Sequence, residues 1–459
     1  MLNFTARKVQ FATCLGFFIV LMDVSVVNVA LQALRQDLSA SVTDLQWVVN
    51  AYAMVFGALL LMAGTLADRF GAKRVFMLGY ALFALASMGC GLAQGLGALI
   101  TWRLAQGVGA ALLVPTSLSL LQHAFPEEAA RNRAVGWWGA GGGIALAAGP
   151  VIGGILIATL GWRSLFFINV PIGLLGLWLT ARHAPRSPVQ PQRSLDVPGQ
   201  LAGVLTLASF TFALTQASAL GWASPMIIVA ALACVMSGVL FVWLEARAAR
   251  PMLPLALLRD PLLASANAIG VLVNLVFYGM VFALSLYFQT IERLTPEQTG
   301  LAFLPMMAIL MAVNILAGRL LQRTSRRRLA TAGLLISALG YLLMLPALAA
   351  HGFAWLVVPM LLAGGGIALT IPTITGAALA AAARHHAGVA SGLLNAARQV
   401  GGITGVALFG FLVRGAAPQA FMQGMHDALV VCVVALLAAA ALASTGLRPT
   451  LQPLPHTTP

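Results

Sequence analysis

Among the twelve acidic residues of this 459-residue chain, Asp23 alone lies deep inside a long apolar run, residues 11–31. A carboxylate in hydrocarbon is expensive to ionise and binds a proton readily, so such an acid is a candidate for ion or proton coupling. Two bases, Arg103 and Arg398, also fall within apolar runs. The rest of the chain offers no catalytic constellation. The four cysteines sit at wide spacing in apolar stretches, with no disulfide framework and no metal-ligand cluster. The seven histidines are scattered, and the His385–His386 pair beside Arg384 reads as solvated. With no nucleophile–base pair and no phosphate-binding loop, the expectation is a protein that is not an enzyme and carries no cofactor or metal.

The elements that must hold Asp23 are membrane spans. Hydrophobic residues make up 60% of the chain and charged ones 8%, with a mean hydropathy of +0.93; soluble domains carry about 25% charged residues. Apolar runs of about twenty residues, the length that crosses a bilayer, recur at 11–31, 45–67, 75–94, 98–120, 134–158 and 162–181. They continue at 199–219, 224–244, 263–288, 299–320, 330–349, 353–376, 389–413 and 427–446, which makes fourteen. The first is read as a retained span, because no small-residue cleavage site follows it. With the N-terminus inside, twenty of the 26 basic residues fall in cytoplasmic segments and four (Arg35, Arg163, Arg293, Arg414) in outer loops. That asymmetry places both termini in the cytoplasm. It also explains the net charge of +14 as a topology and anionic-lipid signal, and no nucleic-acid partner is expected.

Depth relates the buried charges. Asp23 is twelve residues into a span that starts inside, about 18 Å deep, or about 12 Å from the outer edge. Arg103 is five residues into a span that starts outside, about 8 Å deep, so the two lie near one level. At about 100° per residue, Ser25, Asn28 and Gln32 share one face of the first span while Asp23 points nearly opposite. Either Asn28 pins the span to a neighbour while Asp23 faces a pathway, or the reverse.

The turn between the second and third spans has the most specific local pattern: Gly64-Thr65-Leu66-Ala67-Asp68-Arg69-Phe70-Gly71-Ala72-Lys73-Arg74. Gly71 permits a tight reversal. Asp68 can accept from a neighbouring helix N-terminus or from Arg74, making a charged clasp on the cytoplasmic side. The fifth span is glycine-rich, through Gly149-Pro150-Val151-Ile152-Gly153-Gly154, a surface suited to close helix packing.

These segments resemble the signatures of the major facilitator superfamily, and specifically of its fourteen-helix drug/proton antiporters. The Asp68 loop is similar to the first signature. Arg103-Leu104-Ala105-Gln106-Gly107-Val108-Gly109 is similar to the second, and the Gly149–Gly154 segment to the one associated with antiporters. Met22-Asp23-Val24-Ser25-Val26-Val27-Asn28 resembles the first-span motif of the fourteen-helix branch. Gly161-Trp162-Arg163, Asn169-Val170-Pro171 and Ser391-Gly392-Leu393-Leu394-Asn395 with Arg398 are further echoes. The resemblance implies an all-α fold with two six-helix bundles, 1–182 and 263–446, around a central cavity. Linkers and an inserted helix pair would occupy 183–262, and 447–459 would be a disordered cytoplasmic tail. It places Asp68 near residues 388–391, and implies gating by Gly64, Asp68, Arg69, Gly71, Lys73, Arg74, Gly149, Pro150, Gly153 and Gly154.

The resemblance further implies export of lipophilic drugs, dyes or biocides from the bacterial cytoplasm, driven by the proton gradient through Asp23 and Arg103. A proton and a compound would compete at Asp23. Asn28, Trp47, Tyr52, Gln106, Tyr278, Phe282, Tyr287, Asn395 and Arg398 are candidate substrate contacts. With one buried acid against two buried bases, a dication is a poor fit, whereas monocationic, neutral or anionic compounds remain open. A specific metabolite, siderophore or lipid is the alternative cargo, and a non-transporting membrane subunit the third reading. A periplasmic adaptor is a further partner that such proteins can use.

Overall fold

The computed structural model describes residues 4–187, 189, 196–248, 251–321, 323–349, 352–381, 387–415 and 417–447. The His385–His386 pair, most of the connector near 190 and the tail beyond 447 lie outside them. Among the described residues every regular element is helical. The first half contains α1 (Phe4–Val29), α2 (Leu31–Asp37), α3 (Val42–Phe70), α4 (Ala72–Gly91), α5 (Leu96–Ala124), α6 (Glu128–Leu160), α7 (Ser164–Phe167) and α8 (Asn169–His183). A hairpin follows, α9 (Val197–Leu220) and α10 (Pro225–Arg247). The second half contains α11 (Pro261–Thr290), α12 (Pro296–Ala302), α13 (Leu304–Leu320), α14 (Arg326–Ala349), α15 (Phe353–Ala381), α16 (Ala387–Leu412) and α17 (Pro418–Gly446).

Local chemistry sets the boundaries. Ser41 and Asp44 form a capping box that starts α3, Thr295 and Gln298 another that starts α12, and the Asp260 carboxylate caps α11 through the amides of Leu262 and Leu263. Two of the expected continuous spans are broken near one end. Pro171 and Pro305 lack the N–H that would bond back four residues, and the helix interrupts shortly before each, at Ile168 and at Phe303. Among the described residues thirteen segments are long and apolar enough to cross a membrane, α7–α8 and α12–α13 each counting as one. The 26-residue α16 is not among them; Asn395, Arg398 and Gln399 dilute its hydropathy.

The helices α1 to α8 pack on one another, as do α11 to α17, and α9 joins the two groups by lying against both α3 and α16. The near end of the molecule is where α1 starts and the far end where it finishes. The halves are apposed at the far end. There the Ser285 hydroxyl donates to the Asn28 carbonyl at 2.5 Å, and Gln46 Nε2 donates to the carbonyls of Val406 and Ala407 at 3.1 and 2.9 Å. A Cβ on Gly300 would stand 2.2 Å from the Pro150 carbonyl oxygen. Toward the near end the seam between α6 and α13 opens. Around Gly136, Gly139 and Gly318 no atom lies within 4 Å of where a Cβ would be.

Candidate functional site

Asp23 is 1% exposed and Arg103 equally so, and they form an ion pair through Arg103 Nη1 and Asp23 Oδ2. Asp23 Oδ1 accepts from Gln106 Nε2 at 2.8 Å and from Asn169 Nδ2 at 3.3 Å. Gln106 also accepts from Arg103 Nη1 at 2.8 Å; the i,i+3 spacing puts both side chains on one face of α5. Ser87 Oγ accepts from Gln106 at 3.3 Å and Asn169 at 3.1 Å, and donates to the Phe166 carbonyl at 2.8 Å. Arg103 Nε donates to the Val48 carbonyl at 3.0 Å, and the guanidinium lies 4.4 Å from the centre of the Tyr52 ring.

Five helices therefore meet at one carboxylate: α1 supplies Asp23, α3 Val48 and Tyr52, α4 Ser87, α5 Arg103 and Gln106, and α8 Asn169. Away from water an ion pair is tolerated only when its remaining hydrogen-bonding capacity is filled, and this one is filled from all sides. Asn169 stands in the quoted Asn169-Val170-Pro171 segment but not among the candidate site residues. Ser87, a lone hydroxyl in an apolar stretch, gave no signal at all.

The two open faces of α1 are now assigned. Asp23 points into the first half, and Asn28 sits at the seam with α11, its Nδ2 bonded to the Val24 carbonyl at 2.9 Å. As the chain stands, Asp23 exposes no surface on which a compound and a proton would compete directly. The expected substrate contacts scatter for the same reason of packing. Gln106 belongs to the ion-pair network. Trp47 faces Phe212 of α9, ring centres 6.0 Å apart. Phe282 and Tyr287 are buried in an apolar cluster that spans both halves, with the Tyr287 hydroxyl 2.5 Å from Glu292 Oε1. Asn395 bonds its own helix at the Ser391 carbonyl. Tyr278 and Arg398 stay close together, since Tyr278 packs on Gly402, one turn along α16 from Arg398.

A profile of the Major Facilitator Superfamily matches residues 13–406. The chain belongs to the Major Facilitator Superfamily. It is a multi-pass cell-membrane transporter and not an enzyme. It is 37% identical to the Methylenomycin A resistance protein of Bacillus subtilis, over 95% of each chain. It is 38% identical to the protein of the same name from Streptomyces coelicolor, over 88% of this chain and 84% of that one. It is also 37% identical to the Multidrug resistance protein Stp of Mycobacterium tuberculosis, over 89% and 76%. In fold it is similar to a bacterial homologue of the human lysosomal transporter Spinster in an inward-facing, unoccupied conformation, with TM-score 0.70 and 17% identity over 97% of each chain. It is equally similar to a D-xylose–proton symporter, with TM-score 0.70 and 14% identity over 95% and 96%.

The superfamily's signature segments occupy the two ends of the first half. Gly71 has φ +90°, a conformation that side chains rarely adopt, and links α3 to α4 without a longer loop. Lys73 Nζ donates to the Ala181 and Ala184 carbonyls at 3.0 and 2.8 Å, so it caps the C-terminus of α8. Arg69 stacks near its neighbour Phe70, Gly64 faces open space, and Asp68 and Arg74 flank the turn. On α6 the glycines serve two faces. Gly149 and Gly153 lie against Ser25 and Val26 of α1, whereas Pro150 and Gly154 lie against Gly300 and Pro296 of the other half. At the far end, Asp37 Oδ2 accepts from Trp162 Nε1 and Arg163 Nη1, each at 2.9 Å. These two hydrogen bonds hold the Asp37 carboxyl below its ordinary range.

Proposed function

We propose that this chain is a proton-coupled antiporter that exports lipophilic toxic compounds by alternating access. The observation that carries the reading is the Asp23 network: a buried carboxylate tied to the two helices, α3 and α5, that an altered charge would disturb. The resistance proteins to which the chain is similar support the class of cargo. α16 is taken as the fourteenth span, with both termini and the open near end toward the cytoplasm, in keeping with the distribution of basic residues.

Coupling then runs through Arg103. Protonation of Asp23 removes the anion that holds the guanidinium, and one carboxyl oxygen must become a donor where three donors now converge. Arg103 is freed to shift on Val48 and Tyr52 of α3, and α3 is the helix that lies along α16 of the opposite half. A proton taken from outside thereby biases one packing of the halves, and a bound compound biases the other. Gly64, Asp68, Arg69, Gly71, Lys73 and Arg74 form the near-end gate, and Gly149, Pro150, Gly153 and Gly154 the far-end one. No cofactor takes part, and a periplasmic adaptor is an optional partner.

The test is substrate-induced proton movement in everted vesicles, native chain against Asp23→Asn. Collapse of the pH gradient by several lipophilic compounds, abolished by the substitution, is the expected result. Silence of the native chain toward all compounds would sink the exporter reading. Persistent coupling in Asp23→Asn would move the proton site elsewhere.

A further inference from the structure

Three charged side chains stand well inside the apolar spans, and two of them, Asp23 and Arg103, neutralise each other. The third is Arg398. It lies eleven residues beyond Ala387 and fourteen before Leu412 on α16, about 17 and 21 Å from the helix ends, which puts it near mid-membrane. Among the described residues it makes no ion pair, and its Nε is buried with no hydrogen-bond partner.

The surroundings of Arg398 show that this space is interior. α16 is packed against α3 and α9 on one side and α11, α15 and α17 on the other, yet Arg398 remains partly exposed. Its stem is held in place: a Cβ on Gly270 would stand 3.3 Å from Arg398 Cγ. One and two turns further along α16, Gly401 and Gly405 lie on the α11 backbone at Val271 and Leu275, so closely that a Cβ would come within 2.1 and 2.0 Å of their carbonyl oxygens. Tyr278 packs on Gly402, one turn along α16 from Arg398. Gln399, the next residue, meets Gly57 of α3. Arg398 is therefore at the junction of the halves.

A guanidinium at this depth with no counter-anion is costly, and its planar fork suits the paired oxygens of a carboxylate, sulfonate or phosphate. A cationic compound would be repelled there, and the one carboxylate at comparable depth is already engaged by Arg103, Gln106 and Asn169. We propose that Arg398 is the substrate's charge reader, with Tyr278 beside it, and that the exported compounds are lipophilic molecules bearing one carboxylate or similar oxyanion. This rests on the exporter reading and narrows its cargo.

The test uses three ring-matched probes of different charge: naphthalene sulfonate, the neutral naphthalene sulfonamide and naphthyl trimethylammonium. Binding to the purified full chain is measured by calorimetry, and transport in proteoliposomes under an imposed pH gradient. The sulfonate is expected to bind at least about tenfold more tightly than the sulfonamide, with the cation weakest. Arg398→Gln should erase that difference by weakening the sulfonate far more than the sulfonamide, and Arg398→Lys should keep part of it. Should Arg398→Gln fail to fold, the order of the three probes on the native chain and the Lys variant decide. Equal or tighter binding of the cation, or a preference for the sulfonate that survives in Arg398→Gln, overturns the proposal. Transport of cation and neutral probe without preference for the anion also overturns it and leaves the exporter intact. Tight, Arg398-dependent sulfonate binding with no transport of any probe supports the anion site and overturns the exporter.

Discussion

Asp23 and Arg103 are each held by the other, so removing one leaves the remaining charge buried and uncompensated. Arg103→Ala is expected to cost about 3–5 kcal/mol of stability, read as a fall in melting temperature of the purified transporter. Asp23→Asn combined with Arg103→Gln should recover much of that loss, because two neutral amides can share the same partners. A double variant no more stable than Arg103→Ala would show that packing, not charge, carries the cost. The exposed Asp37 behaves differently. Its carboxyl is held below the ordinary range first by Trp162 and then by Arg163. Its contribution to stability is thus present above the ordinary carboxylate range and lost as pH falls through that range toward the lowered value. Solvent screening keeps the effect small. The slope of melting temperature between about pH 5 and pH 3 should be shallower in Asp37→Asn; an unchanged slope would remove Asp37 from the account.

At the scale of elements, glycine decides which helices touch. Gly300 meets the Pro150 carbonyl so closely that a Cβ would stand 2.2 Å from it, and a carbonyl within a helix cannot swing aside. Gly300→Ala should therefore weaken the closed far end by about 1–3 kcal/mol. Distance measurements between spin labels on α6 and α12 would register a longer mean separation; an unaltered distribution would contradict this. The inserted hairpin has its own signature. Glu245, buried near the end of α10, faces the Asp196 carboxyl that caps α9. Its Oε2 accepts from the Leu253 amide at 3.0 Å. A glutamine at 245 can keep that bond and donate to Asp196 as well. Glu245→Gln should raise the melting temperature at neutral pH, and a lower one would show that the two acids share a proton better than an amide serves them.

Taken whole, the molecule is apposed at the far end and parted along the α6–α13 seam at the near end. In a variant whose four native cysteines are replaced by alanine, Gly139→Cys should react with a membrane-impermeant maleimide added from the cytoplasmic side. Ser285→Cys, at the closed far end, should resist reagent added from outside. The reverse pattern would assign the opposite orientation or the opposite resting state.

Much of this was legible in the sequence because a bilayer leaves few solutions. Backbone polar groups must be satisfied within each span, so apolar runs of one length read directly as helices. Depth put Asp23 and Arg103 near one level, since helical rise fixes level, and their contact is supplied by the packing of α1 against α5. The dilution of α16 by Asn395, Arg398 and Gln399 was visible too, though not its meaning. What sequence could not give is rotation and neighbourhood. Nothing in the first span says which of its two opposed polar faces looks across the seam; that follows from where α11 packs, which puts Ser285 beside Asn28. Ser87 joins the network only because α4 and α8 bring it to Asn169, and Phe282 and Tyr287 leave the list of open contacts because an apolar cluster drawn from both halves closes over them. Level along the membrane is a local property of each helix. Contact is a property of how all the helices turn against one another, and only the tertiary structure fixes it.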